Sequence, residues 1–524
     1  MLSGKNFIGN KRSQQSKTSF TAINPVDASE ILPDFFEATI DEVDEAIQLA
    51  GAAFGVYKNS SGIDRANFLD TIAAEILELG DILINRACAE TGLPTGRITG
   101  ERGRTMNQLK MFASVLREGS WRDARIETAI PDRQPAPKSD LRSIQIAIGP
   151  VGIFGASNFP LAFSVAGGDT ASALASGCPV IVKAHPSHPG TCELIAGAVL
   201  SAIEKCNMPN GTFSMVHGIS HKVGMAIVEN PDIKAVGFTG SYKGGKALFD
   251  AANQREEPIP VYAEMGSVNP IFLLPQALKN GTNDLALGLF NSFTLGVGQF
   301  CTNPGLVFTE NSEVSDNFEA ALLSNVNASS SGIMLNEGIC KNYRSGVKNL
   351  AEEDEVEVVA SGDKSDNGYG AEANIFKTTV NDFLTKDILE EEIFGPTTTV
   401  VRASTKEELL SAATKLKGHL TATIFGTDED LQQYKELVDI LQLKVGRLII
   451  NNFPTGVEVC HAMVHGGPFP STTNAQSTSV GSAAINRFTR PICYQNFPQH
   501  LLPAELNDQN SLNIWRLVNG SYQK

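Results

Sequence analysis

The sequence predicts an α/β protein, in which a parallel, nucleotide-binding type of sheet with crossover helices is joined to a second α/β unit. Three observations carry that expectation. From position 144 onward, apolar β-rich runs alternate with helical runs at the spacing of strand–helix–strand crossovers. The run Phe238-Thr239-Gly240-Ser241-Tyr242-Lys243-Gly244-Gly245 follows a strand and opens a helix, a sound context for pyrophosphate, although a plain glycine turn reads equally well. The 524 residues exceed one ordinary core, so about three units are expected.

In chain order, the first ~20 residues read as a loose tail. Residues 21–32 hold a turn at Asn24-Pro25 between β-formers, the pattern of a short hairpin. Residues 41–116 are helical, with Val43, Ile47 and Ala50 on one apolar side of the first helix and further helices over 63–79 and 82–91. Residues 131–139 carry three of the 25 prolines and read as an extended crossing. Strands follow at 144–156, 179–183, 212–216, 235–238 and 261–263. Between them lie helices at 165–175, 191–205, 223–229 and 243–253. A second alternating unit runs from Asn269 to about Gly467, with residues 352–357 and 361–367 facing solvent. Beyond Thr478, residues 488–498 and 512–518 are apolar enough to pack against another subunit.

A net charge of −16 argues against nucleic acid and anionic membrane surfaces as partners. It also requires a local basic group wherever an anionic substrate is received. Residues 1–19 are polar apart from Phe7-Ile8, so no signal-peptide core is expected, and no apolar run approaches the ~18 residues of a membrane span. Eight cysteines are scattered without pair or metal-ligand spacing, which suits a reducing cytoplasm and leaves Cys301 free to react. No metal site is expected.

Cys301, in Gly298-Gln299-Phe300-Cys301-Thr302-Asn303-Pro304-Gly305, sits among glycines, where backbone can approach a small reacting group closely. Glu264, in Ala263-Glu264-Met265-Gly266-Ser267-Val268-Asn269-Pro270, offers a carboxylate to activate water against an ester of that thiol. The bland alternative is a small buried hydrophobe and a surface acid. The familiar Gly-x-Gly-x-x-Gly pattern is absent from the first strand–helix turn, which reads Gly155-Ala156-Ser157-Asn158-Phe159-Pro160.

Together with Lys183 and Glu391-Glu392-Ile393-Phe394-Gly395-Pro396, these runs resemble the aldehyde dehydrogenase superfamily in order and spacing, over residues 20–500. The runs at 154–164, 168–174 and 465–473 are similar to the subgroup holding the 2,5-dioxopentanoate dehydrogenases and the NADP-dependent fatty-aldehyde dehydrogenases of luminous bacteria. The resemblance implies a Rossmann-type cofactor domain (1–130 and 148–265), an α/β catalytic domain (266–475) and oligomerisation segments (131–147 and 476–524). It further implies a homodimer or homotetramer acting on a small aldehyde. By the same resemblance Cys301 is the nucleophile, Asn158 with the Cys301 N–H holds the oxyanion, and Glu264 is the base. Phe154, Ser157, Lys183, Gly240, Ser241, Gly245, Glu392 and Phe394 would bind the cofactor, Lys183 at the adenosine ribose and Glu392 with Phe394 at the nicotinamide end.

Where NAD-preferring relatives carry Glu three residues after the lysine, this chain has Pro186, which leans the expectation to NADP with NAD still usable. Lys183, helped by His185 or Lys222, would receive the 2′-phosphate. Met265-Gly266-Ser267 departs from the relatives' Leu-Gly-Gly and is expected to be structural. At the substrate end, matching along a helix places Arg104 in the tunnel, with Phe159, Phe163 and His465 as walls. A guanidinium there suits a carboxylate on a short aldehyde, 2,5-dioxopentanoate above all. A fatty aldehyde is the alternative, with Arg104 turned away. Acyl transfer to coenzyme A fits less well because Glu264 is present.

Overall fold

A computed structural model describes residues 2–365 and 368–524. Its first sheet has seven strands in the order Val261–Glu264, Ala235–Thr239, Val151–Phe154, Val180–Lys183, Phe213–Val216, Asn6–Ile8 and Lys11–Ser13. The first five run parallel. The chain leaves Val151–Phe154 in one direction and returns on its other side at Ala235–Thr239. The strand order therefore reverses at that pair, where such sheets open a crevice for a nucleotide.

Two expectations change here. Residues 144–156 form two strands, Leu141–Ala147 and Val151–Phe154, in different sheets. The break falls at Gly149-Pro150, where Gly149 takes φ +132° and proline has no N–H to continue a ladder. The amino terminus is not a loose tail. Asn6–Ile8 pairs antiparallel with Phe213–Val216 through Phe7 and Met215, and Phe7 and Ile8 are buried. The apolar pair covers a sheet edge that would otherwise meet water. Ser3 and Gly4 are tied down as well, donating from backbone N–H to the Glu193 carboxylate at 2.7 and 2.8 Å.

The helical region is Ile40–Tyr57, Gly62–Glu78, Gly80–Thr91 and Thr95–Glu118. Thr39 and Glu42 form a reciprocal cap at its start, each side chain accepting from the other's backbone N–H. The hairpin is longer than expected, Ser19–Ile23 against Glu30–Phe36. Residues 131–139 form an exposed turned loop rather than an extended crossing, closed by the Ile130–Lys138 bridge and by Arg133 Nε donating to Ala136 O at 3.0 Å.

The second sheet also has seven strands, in the order Glu357–Ser361, Asn374–Thr379, Thr397–Ala403, Leu306–Glu310, Ile271–Leu273, His419–Phe425 and Val445–Ile450. All but the first run parallel. Phe272 and Phe308 stack at 4.8 Å in its core. Residues 352–357 are mostly exposed, and within the stretch 361–367 Asp366 and Asn367 lie outside the described residues. A third sheet gathers Thr489–Gln495, Leu141–Ala147, Arg125–Glu127, Arg516–Val518 and Ser521–Gln523. Among the described residues no helix is long and apolar enough to cross a membrane.

Phe7 is 1% exposed, so Phe7→Ala is expected to destabilise the protein by about 3–5 kcal/mol in chemical unfolding. An unchanged midpoint would return the amino terminus to the status of a tail.

Candidate active site

Cys301 follows a short turn, Leu295–Gly298, in which Gly296, Val297 and Gly298 all take positive φ. At Gly298 a Cβ would come within 2.2 Å of the Gly395 carbonyl, so only glycine lets the loop lie against Gly395-Pro396. Asn269, itself at φ 44°, donates from Nδ2 to Cys301 O and Asn303 O, both at 2.9 Å. Its Oδ1 accepts from Ser267 Oγ at 2.9 Å and Thr421 Oγ1 at 3.0 Å, so the amide is satisfied at both ends. Asn158 Nδ2 donates to Gln299 O at 3.0 Å, which places that amide against the same loop.

Glu264 ends the strand Val261–Glu264 and is buried. Ser479 Oγ donates to its Oε2 at 2.7 Å. His465 Nε2 lies 2.8 Å from its Oε1, near enough for an ion pair though not aligned as a hydrogen bond. The same Nε2 is 3.4 Å from Cys301 Sγ. His465 stays beside Phe163, ring centroids 6.2 Å apart, but its working nitrogen lies between thiol and carboxylate. Burial works to raise the Glu264 carboxyl, yet His465, Ser479 and the thiol hold it below the usual range. Burial pushes the Cys301 thiol well up, and the carboxylates of Glu264 and Glu392 add to that while Arg104 opposes it. Burial also raises Glu392 to about 7, opposed by the Ser267 N–H and assisted by Glu264. The thiol is therefore protonated at neutral pH and needs a proton acceptor at hand. Cys301, Glu264 and His465 bring ligand-type atoms within 4.8 Å of one another, a set that also has the chemistry to hold a divalent ion.

Of the residues expected at the cofactor, all but Glu392 and Phe394 lie on the rim of the first sheet. Lys183 ends its strand, and burial lowers it to about 8 against the pull of Cys192 and Glu37. Burial and the neighbouring His188 and Lys183 keep His185 neutral, so it adds no charge for a phosphate. Lys222 is exposed on the helix His221–Glu229. Ser241 caps Tyr242–Asn253, its Oγ accepting from Gly244 N at 3.2 Å, and Gly245 N donates to Ser241 O at 3.0 Å. Met265 packs on Gly245, where a Cβ would meet its side chain at 2.7 Å. Gly266 lets Glu392 Oε2 approach, while Ser267 N donates to Glu392 Oε1 at 3.4 Å. The Met-Gly-Ser run thus packs between Gly245 and Glu392. Phe394 and Glu392 line a crevice with Asn303. The Phe154 ring is buried beside Phe238, and Ser157 sits in the loop after that strand.

At the far end, Arg97, Glu101 and Arg104 share one face of Thr95–Glu118 by their three- and four-residue spacing. Glu101 accepts from Leu161 N and Ala162 N at 2.9 Å each and pairs with Arg97 at 2.7 Å, fixing the loop that carries Asn158 and Phe159. Arg97 lies 4.5 Å over the Phe159 ring, which meets Phe163 and Phe300 edge-on at 5.4 Å. Arg104 lies over Phe163 at 5.5 Å and donates from Nη1 to Val457 O at 2.6 Å. Its Nε and Nη2 are buried without an acceptor.

Comparison with known proteins decides the family. A family model described as "Aldehyde dehydrogenase family" matches residues 11–491. The chain belongs to the aldehyde dehydrogenase family. It is 47% identical over 520 residues to alpha-ketoglutaric semialdehyde dehydrogenase 2 of Azospirillum brasilense, covering 99% of both chains. It is 47% identical to the alpha-ketoglutaric semialdehyde dehydrogenase of Acinetobacter baylyi, covering 99% of this chain and 98% of that one. Among solved structures, an NAD+ complex of an aldehyde dehydrogenase from Bacillus cereus superposes with TM-score 0.79 at 23% identity, over 94% of this chain and 96% of that one. Betaine aldehyde dehydrogenase of Staphylococcus aureus with NAD+ gives 0.79 at 22% identity, over 95% and 96%. These two share the fold.

This aldehyde dehydrogenase is an oxidoreductase of a family that uses NAD(P). Sequence reasoning left out Asn269, Ser479, Arg97 and Glu101. The helical spacing of Arg97, Glu101 and Arg104 was a usable signal. Ser479 carried none, since it meets Glu264 across 215 positions of sequence. Because burial and two carboxylates raise the Cys301 thiol well above 9.0, its alkylation by iodoacetamide is expected to climb with pH without levelling near neutrality. Glu264→Gln removes the larger neighbouring charge and is expected to shift that profile to lower pH, read by mass spectrometry of the Cys301 peptide. Alkylation already flat from neutral pH would contradict the assigned environment.

Proposed function

We propose that this aldehyde dehydrogenase oxidises 2,5-dioxopentanoate to 2-oxoglutarate. One observation carries the substrate reading beyond the resemblance to curated relatives: Arg104 uses Nη1 on Val457 O and leaves Nε and Nη2 buried and unpaired. Those two N–H groups form the edge of a guanidinium that takes a carboxylate bidentately. The aromatic walls Phe159, Phe163 and Phe300 favour a fatty aldehyde as the second reading, but an alkyl chain would leave that edge unsatisfied.

In the proposed reaction the Cys301 proton passes to water as Sγ attacks the aldehyde carbon to give a thiohemiacetal. The oxyanion is received by the Asn158 amide and the Cys301 N–H, a donor of this kind being worth ~3 kcal/mol of barrier. Bound NAD(P) supplies the hydride acceptor. Lys183, the helix start at Ser241 and Glu392 would hold it: Lys183 ends one strand of the first sheet, Ser241 opens the helix that follows another, and Glu392 stands beside the Ser267 N–H on the Cys301 side. The remaining thioester is hydrolysed by water that Glu264 deprotonates, with Ser479 holding Oε2. Carboxylic acid leaves and the thiol is restored.

NADP is the proposed preferred cofactor, because Pro186 removes the carboxylate that would repel a 2′-phosphate near Lys183. The third sheet, holding residues 141–147 and the carboxy-terminal strands, is the proposed assembly surface of a homodimer or homotetramer in a reducing cytoplasm.

Cys301→Ala is expected to abolish NAD(P)H formation. Glu264→Gln should keep one rapid turnover per site and lose steady-state rate by ~100-fold or more, and normal steady-state turnover would remove Glu264 from the base role. With NADP, 2,5-dioxopentanoate should outpace decanal at 340 nm, and Arg104→Met should raise its KM roughly 10- to 100-fold. A decanal preference, or an unmoved KM, would transfer the assignment to the fatty-aldehyde reading. Equal kcat/KM with NADP and NAD would remove the cofactor preference.

A further inference from the structure

Arg447 lies on Val445–Ile450, the edge strand of the second sheet. It donates from Nη1 to Gly456 O at 2.6 Å and from Nη2 to Pro454 O at 2.7 Å. The next carbonyl along, that of Val457, is the one that accepts from Arg104. A single turn is thus gripped by two guanidinium groups from opposite ends of the chain. The turn is anchored further by Thr455 Oγ1 against Ser292 Oγ at 3.1 Å and by Phe453 beside Phe425 at 4.7 Å.

Carbonyl dipoles compensate a cation only in part. Among the described residues neither Arg104 nor Arg447 forms an ion pair, and each keeps buried N–H groups without an acceptor, Nε and Nη2 of Arg104 and Nε of Arg447. Leaving a buried guanidinium N–H without an acceptor is costly, and an anionic ligand relieves it at Arg104. Burial depresses both guanidinium groups, and the thiol of Cys301 works against that in each.

We infer that Arg447 is a positioning residue for substrate selection: by holding the carbonyls of Pro454 and Gly456 it fixes the Val457 carbonyl, and through it the carboxylate-binding edge of Arg104. The enzyme then selects short aldehydes that end in a carboxylate next to an oxo group. This rests on the reading of Arg104 given above. Lysine at 447 keeps the charge but lacks the planar fork that spans two carbonyls, so geometry and charge are separable.

The experiment compares full-length wild type, Arg447→Met, Arg447→Lys and Arg104→Met on 2,5-dioxopentanoate and on butanal. The quantity read is the ratio of kcat/KM for the charged over the uncharged aldehyde. Arg447→Met is expected to lower that ratio by about tenfold, through KM, and Arg447→Lys to lower it comparably. Arg447→Lys, as the milder change, still gives the answer if Arg447→Met does not fold. An unchanged ratio, equal losses on both aldehydes, or full recovery with lysine overturns the inference while Arg104→Met still lowers the ratio. If Arg104→Met leaves the ratio unchanged too, the reading beneath it fails instead.

Discussion

The arrangement depends on one imidazole lying between a half-buried thiol and a buried carboxylate. His465 Nε2 is 3.4 Å from Cys301 Sγ and 2.8 Å from Glu264 Oε1. Two acidic side chains so close oppose each other's ionisation, and the imidazole beside them favours the carboxylate. With it, Glu264 stays ionised although buried, while Cys301 keeps its proton. That asymmetry matches a sequence in which the thiol must lose its proton for attack and the carboxylate must later accept one from water. Ser479 occupies the other carboxylate oxygen, which leaves Glu264 little freedom to turn away.

Each of these groups comes from a different part of the fold. Glu264 ends a strand of the first sheet, Cys301 follows a turn leading into the second, and His465 sits on the loop after the last strand of the second. Asn269 ties the link between the sheets to the Cys301 loop through two carbonyls, and Gly298 lets that loop press against Gly395. The loop that carries the thiol is thereby held by one buried side-chain amide and one close backbone approach.

At the substrate end, apolar rings and uncompensated cations lie together. Phe159, Phe163 and Phe300 exclude water, and in that setting a guanidinium edge without an acceptor acts strongly on whatever anion enters. A protein with net charge −16 needs such a local positive site if it is to receive an anionic aldehyde.

The sequence by itself determined the family and the alternation of strands and helices, because these are carried by short ordered runs whose chemistry is local, and it singled out Cys301, Glu264 and Asn158 as candidates. It misjudged the amino terminus because pairing of Phe7 with a strand some two hundred residues away leaves no local trace. It took residues 144–156 as one strand because apolarity alone does not register the Gly149-Pro150 break. Only the tertiary structure decided that His465 faces the thiol, that Asn269 holds the Cys301 loop and Ser479 the Glu264 carboxylate, and that Arg104 reaches the Val457 carbonyl. Those relations join residues distant in sequence, and hydrogen-bond geometry between such residues is set by how the sheets pack, which no run of neighbouring amino acids encodes.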